Sequence, residues 1–229
     1  MQIANDFLHL IYPNQCLVCE HELSFSENFT CNFCNENISL TNFHLYEEPS
    51  SMDKLFWGRL EVTKTYAHFF FEKNKTPQNI LFSLKYKDNP QLGIHYGKEM
   101  GLNLLKTASL DSVDVVFPVP LHPKKKFIRG YNQSDALSIG ICETFGKKLD
   151  LKSIVRTKHT ETQTKKSRFQ RWDNVSEIFK IKSSITNYKH ALIVDDVITT
   201  GSTIEAMANA IRKVHPEIMI SVATLAIAK

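Results

Sequence analysis

Ala191-Leu-Ile-Val-Asp-Asp-Val-Ile-Thr-Thr-Gly-Ser-Thr203 is the stretch from which the rest of the chain can be read. Its first four residues are uniformly apolar, as in a strand buried on both faces, and two adjacent carboxylates, Asp195 and Asp196, close the run. Ile198 to Thr203 is a turn of small residues. Beyond it Ile204, Met207, Ala208, Ile211 and Val214 recur at spacings of three and four, which marks one face of a helix. A strand that delivers two acids to its end and then turns into a helix has two chemical uses. The backbone N–H groups of Thr199, Thr200, Gly201, Ser202 and Thr203, helped by their hydroxyls and the positive helix end, can wrap a phosphate, with Gly201 allowing close approach. Asp195 and Asp196 repel a phosphate, so they are expected to accept hydrogen bonds from hydroxyls or to hold a hard cation, often through water.

A phosphate cup beside acceptors for a diol describes a ribose 5-phosphate. GxxxxGK[ST] and GxGxxG are both absent, so this is neither a P-loop nor a dinucleotide fingerprint.

Working outward, Ile218 to Ile227 reads as a final strand, Val113 to Pro120 as a buried strand ended by two prolines, and Val62 to Phe71 as a strand rich in β-branched and aromatic residues. Helices are expected from Thr76, over Leu92 to Leu105, and over Ser134 to Phe145, with a shorter strand near Ile154 to Arg156. Residues 121–133 and 157–174 read as loops, the second of them mobile. Alternating strands and helices predict an α/β domain with a mainly parallel sheet, whose ligands sit outside the carboxyl ends of the strands.

Ahead of it, Cys16-x2-Cys19 and Cys31-x2-Cys34 form two knuckles separated by 11 residues. Each two-residue spacing lets a tight turn aim both sulfurs at one point, and four thiolates suit a closed-shell, borderline-soft ion such as zinc. An iron–sulfur cluster and a redox pair are the alternatives, and His21 is a spare ligand. Few apolar side chains (Phe25, Phe29, Phe33, Ile38) accompany the knuckles, so metal and folding should be coupled there. The expected division is a zinc module over 1–46, a linker at Glu47 to Ser51 and an α/β domain over 52–229. Cys142, in an apolar helical stretch, reads as a small buried hydrophobe.

The 229 residues are 42% hydrophobic and 23% charged, and no apolar run approaches the roughly 20 residues needed to cross a bilayer. The first residues lack the basic region and cleavage site of a signal peptide, so a cytoplasmic protein without membrane insertion is expected. The net charge of +4 hides an asymmetry: residues 121–171 hold 13 Lys/Arg against four acids. Such a concentration points to anionic partners.

The 191–203 window resembles the 13-residue signature for 5-phosphoribosyl pyrophosphate (PRPP) of type I phosphoribosyltransferases, at every class position. Pro118-Val-Pro-Leu-His-Pro123 with Arg129-Gly-Tyr-Asn-Gln133, and Arg156…Gln163…Arg168…Arg171-Trp-Asp-Asn174, resemble one branch of that superfamily, the ComF family, as does the double cysteine knuckle. Tyr131 stands where that family often has Phe. The resemblance covers nearly the whole chain. It implies a phosphoribosyltransferase fold that binds PRPP and magnesium, with Asp195 and Asp196 as ribose-diol and magnesium acceptors. It further implies a pyrophosphate loop at Pro118 to Pro123, including Val119 and Pro120, and a cationic lid and flanks formed by Lys124, Lys125, Lys126, Arg129, Arg156 and Arg168. His122 and His159 are candidate general bases, with plain solvent exposure as the alternative for both.

Two functions remain open at this stage. One is transfer of ribose 5-phosphate from PRPP to a nitrogen nucleophile, which needs orientation and charge stabilisation more than a covalent nucleophile. The other follows from the family's association with natural transformation: handling of imported single-stranded DNA beside other DNA-uptake proteins, with PRPP as ligand or regulator. The basic segment fits a phosphate backbone, and Phe56, Trp57, Tyr66, Phe69 to Phe71, Phe82 and Tyr86 are candidates either for base stacking or for the core.

Overall fold

The computed structural model describes residues 14–24, 26–157 and 178–228. Seven strands are present among them: β1 (Thr65–Phe71), β2 (Val115–Pro118), β3 (Lys148–Leu149), β4 (Ile154–Arg156), β5 (Phe179–Ile181), β6 (His190–Ile198) and β7 (Met219–Ala228). Five of these make one sheet in the order β1-β7-β6-β2-β3, parallel throughout, while β4 and β5 form a separate antiparallel pair. The apolar run of β6 is explained by its place in the middle of the sheet. Ala191 and Ile193 join a core with Phe117, Ile204, Met207 and Ile211, whereas Leu192 and Val194 join a second core with Leu84, Tyr96, Leu137 and Ile141.

The helices are α1 (Asn32–Glu36), α2 (Ser51–Lys54), α3 (Thr76–Tyr86), α4 (Pro90–Leu104), α5 (Pro123–Arg129), α6 (Gln133–Phe145) and α7 (Ser202–Val214). α7 covers one face of the sheet with its Ile204, Met207 and Ile211 stripe, and α4 and α6 cover the other. These two approach very closely, because Gly97 faces Gly140. A Cβ at Gly97 would lie 2.2 Å from the Leu137 carbonyl oxygen, and one at Gly140 2.1 Å from that of Ile94.

Three expectations are corrected. Residues 123–129, read as a loop, form α5, started by Pro123 and capped by His122, whose Nδ1 accepts from the Lys124 N–H at 3.3 Å. β6 does not stop at the acids but runs on through them to Ile198, paired with Ile227 of β7. At the end of the expected linker only Ser51 differs, being the first residue of α2, which Ser50 caps through a capping box with Asp53.

The cysteine-bearing segment leads directly onto the sheet. Leu40 bridges antiparallel to Phe69, the Thr41 N–H donates to the His68 carbonyl at 3.1 Å, and the Phe70 N–H donates to the Ser39 carbonyl at 2.9 Å. Residues 39–41 thereby occupy the outer edge of β1. No helix among the described residues is long and apolar enough to cross a membrane.

Candidate functional site

At the carboxyl end of β6 the two acids meet different partners. Asp195 Oδ1 accepts from the Ser134 hydroxyl of α6 at 3.0 Å and from the Asp196 N–H at 2.9 Å. Burial, and after it the neighbouring Asp196 carboxylate, push Asp195 up to about 7. Such a carboxyl is poised to lose its proton when a cation arrives. Asp196 pairs with Lys85 from the last turn of α3, with Nζ to Oδ2 at 3.1 Å. The carboxylate of Asp195 also acts on Arg156 of β4, where its negative charge opposes the burial that lowers the arginine's pKa. Acids from one strand thus face cations from two elements far away in sequence.

The turn that follows is held in shape from outside. Gly201 is the N-cap of α7 at φ +75° and provides no side-chain cap for the helix. The first N–H groups of a helix lack intrahelical acceptors, so those of α7 remain available to an anion. A Cβ at Gly201 would stand 2.9 Å from Phe56 Cε1, so the buried Phe56 ring forms the floor beneath the turn. Arg59 donates to the Thr200 carbonyl at 2.8 Å and pairs with Glu205 of α7, and the Thr200 and Ser202 hydroxyls lie 3.0 Å apart. Thr199, Thr200 and Ser202 are exposed and Thr203 is half-buried. The five turn residues and the two acids therefore form one continuous rim.

Across the rim, β2 ends and Val119 donates its N–H to the Val194 carbonyl at 2.8 Å, while Asn132 Nδ2 donates to the Val119 carbonyl at 3.1 Å. These bonds bring residues 118–120 alongside β6. A pocket of about 170 Å³ opens here, lined by Pro118, Pro120, Leu121, Lys126, Asp135 and Arg156 among others. Lys126 reaches Asp135 at 3.4 Å. Arg129 donates to Gln133 Oε1 at 2.7 Å and lies 5.6 Å over the Tyr86 ring. Among the described contacts none ties Lys124 or Lys125 to the acids of β6; both ride on α5, none of whose residues is buried. His122 caps that helix. His159, Gln163, Arg168 and Arg171 to Asn174 lie outside the described residues.

Sequence reading singled out neither Lys85, Ser134 nor Arg59 for this rim, and Phe56 only as a candidate for stacking or for the core. Each sits in an ordinary local pattern, and only the folding of α2, α3 and α6 around β6 gives it a role.

The second candidate site is the cysteine cluster. One sulfur from each of Cys16, Cys19, Cys31 and Cys34 lies within 4.8 Å of the others, and the cluster could hold a metal ion. The Cys19 and Cys31 sulfurs are 3.6 Å apart. This fits a tetrahedron of metal–sulfur bonds of about 2.3 Å, whose edges are about 3.8 Å. The Cys31 N–H donates to the Cys16 sulfur at 3.4 Å, as expected of a thiolate that needs its charge spread. His21 is not part of the cluster. Its carbonyl instead accepts from the Cys16 N–H at 2.8 Å and shapes the first knuckle. Cys142 is separate, and burial pushes its thiol up to about 11, in keeping with an inert side chain.

The profile of the phosphoribosyl transferase domain family matches residues 147–229, a span that includes β6, the turn and α7. Competence protein F of Haemophilus influenzae is 35% identical over 226 residues, covering 92% of this chain and 89% of that protein. The chain belongs to the ComF family. DNA utilization protein YhgH of Escherichia coli O157:H7 is 26% identical over 215 residues, covering 87% of this chain and 91% of that protein, and the YhgH of Salmonella typhimurium is likewise 26% identical, over 209 residues. With these relatives, the parallel sheet and the cysteine cluster, this ComF-family chain has the expected architecture of a phosphoribosyltransferase-like α/β body carrying a small four-cysteine cluster.

Proposed function

We propose that this ComF-family chain binds PRPP with magnesium at the rim of β6 and α7, holds a structural zinc at its four cysteines, and acts in the uptake of DNA. The observation that carries the ligand is the joining of Asp195 and Asp196 to a glycine-capped helix start within one rim. Thr199 to Thr203 would cradle the 5-phosphate, the two carboxylates would accept the ribose hydroxyls and hold the magnesium, directly or through water, and Val119 and Pro120 would face the diphosphate. Magnesium supplies charge neutralisation on the diphosphate when bound. Lys126, Arg129 and Arg156 extend that neutralisation, and Lys124, Lys125 and Arg168 complete the basic surround in this reading. The DNA role is supported by the names of relatives similar over nearly their whole length, one a competence protein and others DNA utilization proteins. The basic 121–171 segment fits such a partner, and other DNA-uptake proteins are expected beside it. The division into a zinc module over 1–46 and a phosphoribosyltransferase-like domain over 52–229 belongs to the same reading, as does a cytoplasmic location.

Calorimetry on Asp195→Asn combined with Asp196→Asn tests the ligand. Charge-assisted hydrogen bonds of roughly 1.5 to 3 kcal/mol each imply a loss of at least tenfold per residue. Unchanged affinity for magnesium–PRPP in a folded double variant refutes the assignment.

A second reading, catalysis, is favoured by the small pocket in which Lys126 and Arg156 stand beside the β2 terminus. Cations there would stabilise departing pyrophosphate as a nitrogen nucleophile attacks the anomeric carbon. Pyrophosphate release from PRPP in the presence of a panel of amines and bases separates a transferase from a binder.

A further inference from the structure

The aromatic residues that could either stack bases or fill the core are sorted by the fold. Phe56, Tyr66 and Phe69 are buried, while Phe82, Tyr86 and Trp57 are 54%, 64% and 62% exposed. Trp57 lies at an open groove of about 680 Å³ where Arg59, Lys64 and Arg212 are mixed with Glu47, Asp53 and Glu61, so its surroundings favour no anion. Phe82 and Tyr86 differ. They stand at i and i+4 on α3 with ring centroids 5.0 Å apart, and Arg129 lies 5.6 Å over the Tyr86 ring. The Tyr131 hydroxyl donates to the Leu84 and Asn89 carbonyls, which locks the end of α5 and its following turn against α3. Phe127 and Ile128, immediately before Arg129, are 90% and 82% exposed. The two joined stretches, 82–88 and 124–131, carry Lys85, Lys87, Lys124, Lys125, Lys126 and Arg129 against a single acid, Asp88.

We propose that Phe82, Tyr86 and the Arg129 guanidinium form a stacking platform for the bases of a single-stranded nucleic acid, whose backbone runs along Lys87, just past the end of α3, and the lysines of α5. This rests on the DNA-handling part of the function above and adds to it the surface responsible. Solvent-exposed rings on a helix, with a guanidinium plane against one of them and cations on either side, match what a flexible strand offers: flat apolar faces at regular intervals beside phosphates. Lys85 and Lys126 are paired within the chain with Asp196 and Asp135, and a protein partner would find the same apolar rings but would have to match the other four cations, Lys87, Lys124, Lys125 and Arg129, with one fixed arrangement of acids. Duplex DNA hides its base faces and leaves the rings unused.

The platform adjoins the acid rim. Lys85, the residue before Tyr86, is the partner of Asp196.

The test uses fluorescence anisotropy of the full chain with a labelled oligothymidylate, an abasic oligomer of equal length, a single-stranded RNA and a duplex. The single strands with bases are expected to bind more tightly than either the abasic strand or the duplex. Phe82→Ala with Tyr86→Ala should weaken thymidylate binding by about five- to a hundred-fold per ring and leave abasic binding unchanged. Phe82→Tyr with Tyr86→Phe should restore it. Lys124→Ala with Lys125→Ala should instead flatten the salt dependence for both strands, with the slope falling by about 0.7 per phosphate released. Phe82→Ala alone should leave the affinity for magnesium–PRPP unchanged, which checks that the rim is intact. If the double ring variant binds thymidylate like the parent, the platform is refuted while DNA handling stands. If the parent binds no single strand at 20 mM salt, direct DNA binding and the platform fall together. A parent that sediments as a dimer and becomes monomeric in the ring variant, with DNA affinity unaltered, identifies the surface as a self-association face and likewise overturns the proposal.

Discussion

Lys85 Nζ lies 3.1 Å from Asp196 Oδ2, so the last turn of α3 holds the second acid of β6 by a direct ion pair. Both side chains are largely withdrawn from water, at 21% and 13% exposure, and Asp195 stands next to them with its own charge suppressed. Lys85 therefore brings positive charge directly against the pair of carboxylates.

Lys85→Met should leave two adjacent carboxylates without their nearest cation. A loss of about 1 to 3 kcal/mol is expected, between the values for exposed and buried pairs. Millimolar magnesium should recover part of it. Denaturant unfolding with and without magnesium measures both, and a variant as stable as the parent in the absence of metal would argue that the pair contributes nothing.

Among the described residues the cysteine module has almost no core of its own: its buried cluster consists of Cys16, Cys31 and Cys34 with Leu23. One zinc per chain is expected by elemental analysis of freshly purified protein. Cys16→Ser should lose the metal and the amide protection of residues 14–36, whereas Cys142→Ala should lose neither.

Two glycine substitutions should separate the site from the scaffold. Gly201→Ala places a Cβ against Phe56 at a left-handed backbone position and should cost about 1 to 2 kcal/mol from backbone strain alone, with PRPP affinity falling as well. Gly97→Ala forces α4 from α6 and should destabilise by about 1 to 3 kcal/mol or more while leaving the affinity of the folded protein unchanged. Thermal melts paired with calorimetry distinguish the two patterns.

His190 is fully buried at the start of β6 with a serine hydroxyl at each ring nitrogen, Ser112 at 2.8 Å and Ser221 at 2.8 Å. Burial lowers its pKa below the ordinary 6.5. The unfolded chain therefore takes up a proton near 6.5 that the folded chain refuses. The stability this group contributes is fully present above that pH and declines as pH falls from 6.5 toward the folded value, by at most about 1.4 kcal/mol per pH unit. His44 and His95, lowered mainly by burial too, act in the same direction. His190→Gln should make the denaturation midpoint less sensitive to pH between 7.5 and 5.5, whatever it does to the midpoint itself.

How far the sequence reveals this molecule depends on whether a signal is local. The β6–turn–α7 unit announces itself because an uninterrupted apolar run, two acids and a stripe at spacings of three and four lie within 25 residues. α5 hides because its periodicity is empty: all seven residues avoid the core, and three consecutive lysines read as solvated loop. Pro123 and His122 carried the start signal, yet a start without an apolar face is weak evidence for a helix. β3 and β5, two and three residues long, are held by their neighbours and have too few residues for an alternation to show. Lys85, Ser134 and Arg59 belong to the rim only through tertiary approach, which no spacing along the chain encodes.

β1 offers seven residues, Thr65-Tyr-Ala-His-Phe-Phe-Phe71, with one flank paired to β7 and the other closed by residues 39–41. That closure is the tail of the four-cysteine segment. When the segment loosens, the strand regains a row of unsatisfied amide groups beside three consecutive phenylalanines, a template onto which another copy can polymerise. The chain that follows the four cysteines thus shields the open flank of β1, and replacing those cysteines should be read out as much in turbidity as in any loss of ligand binding.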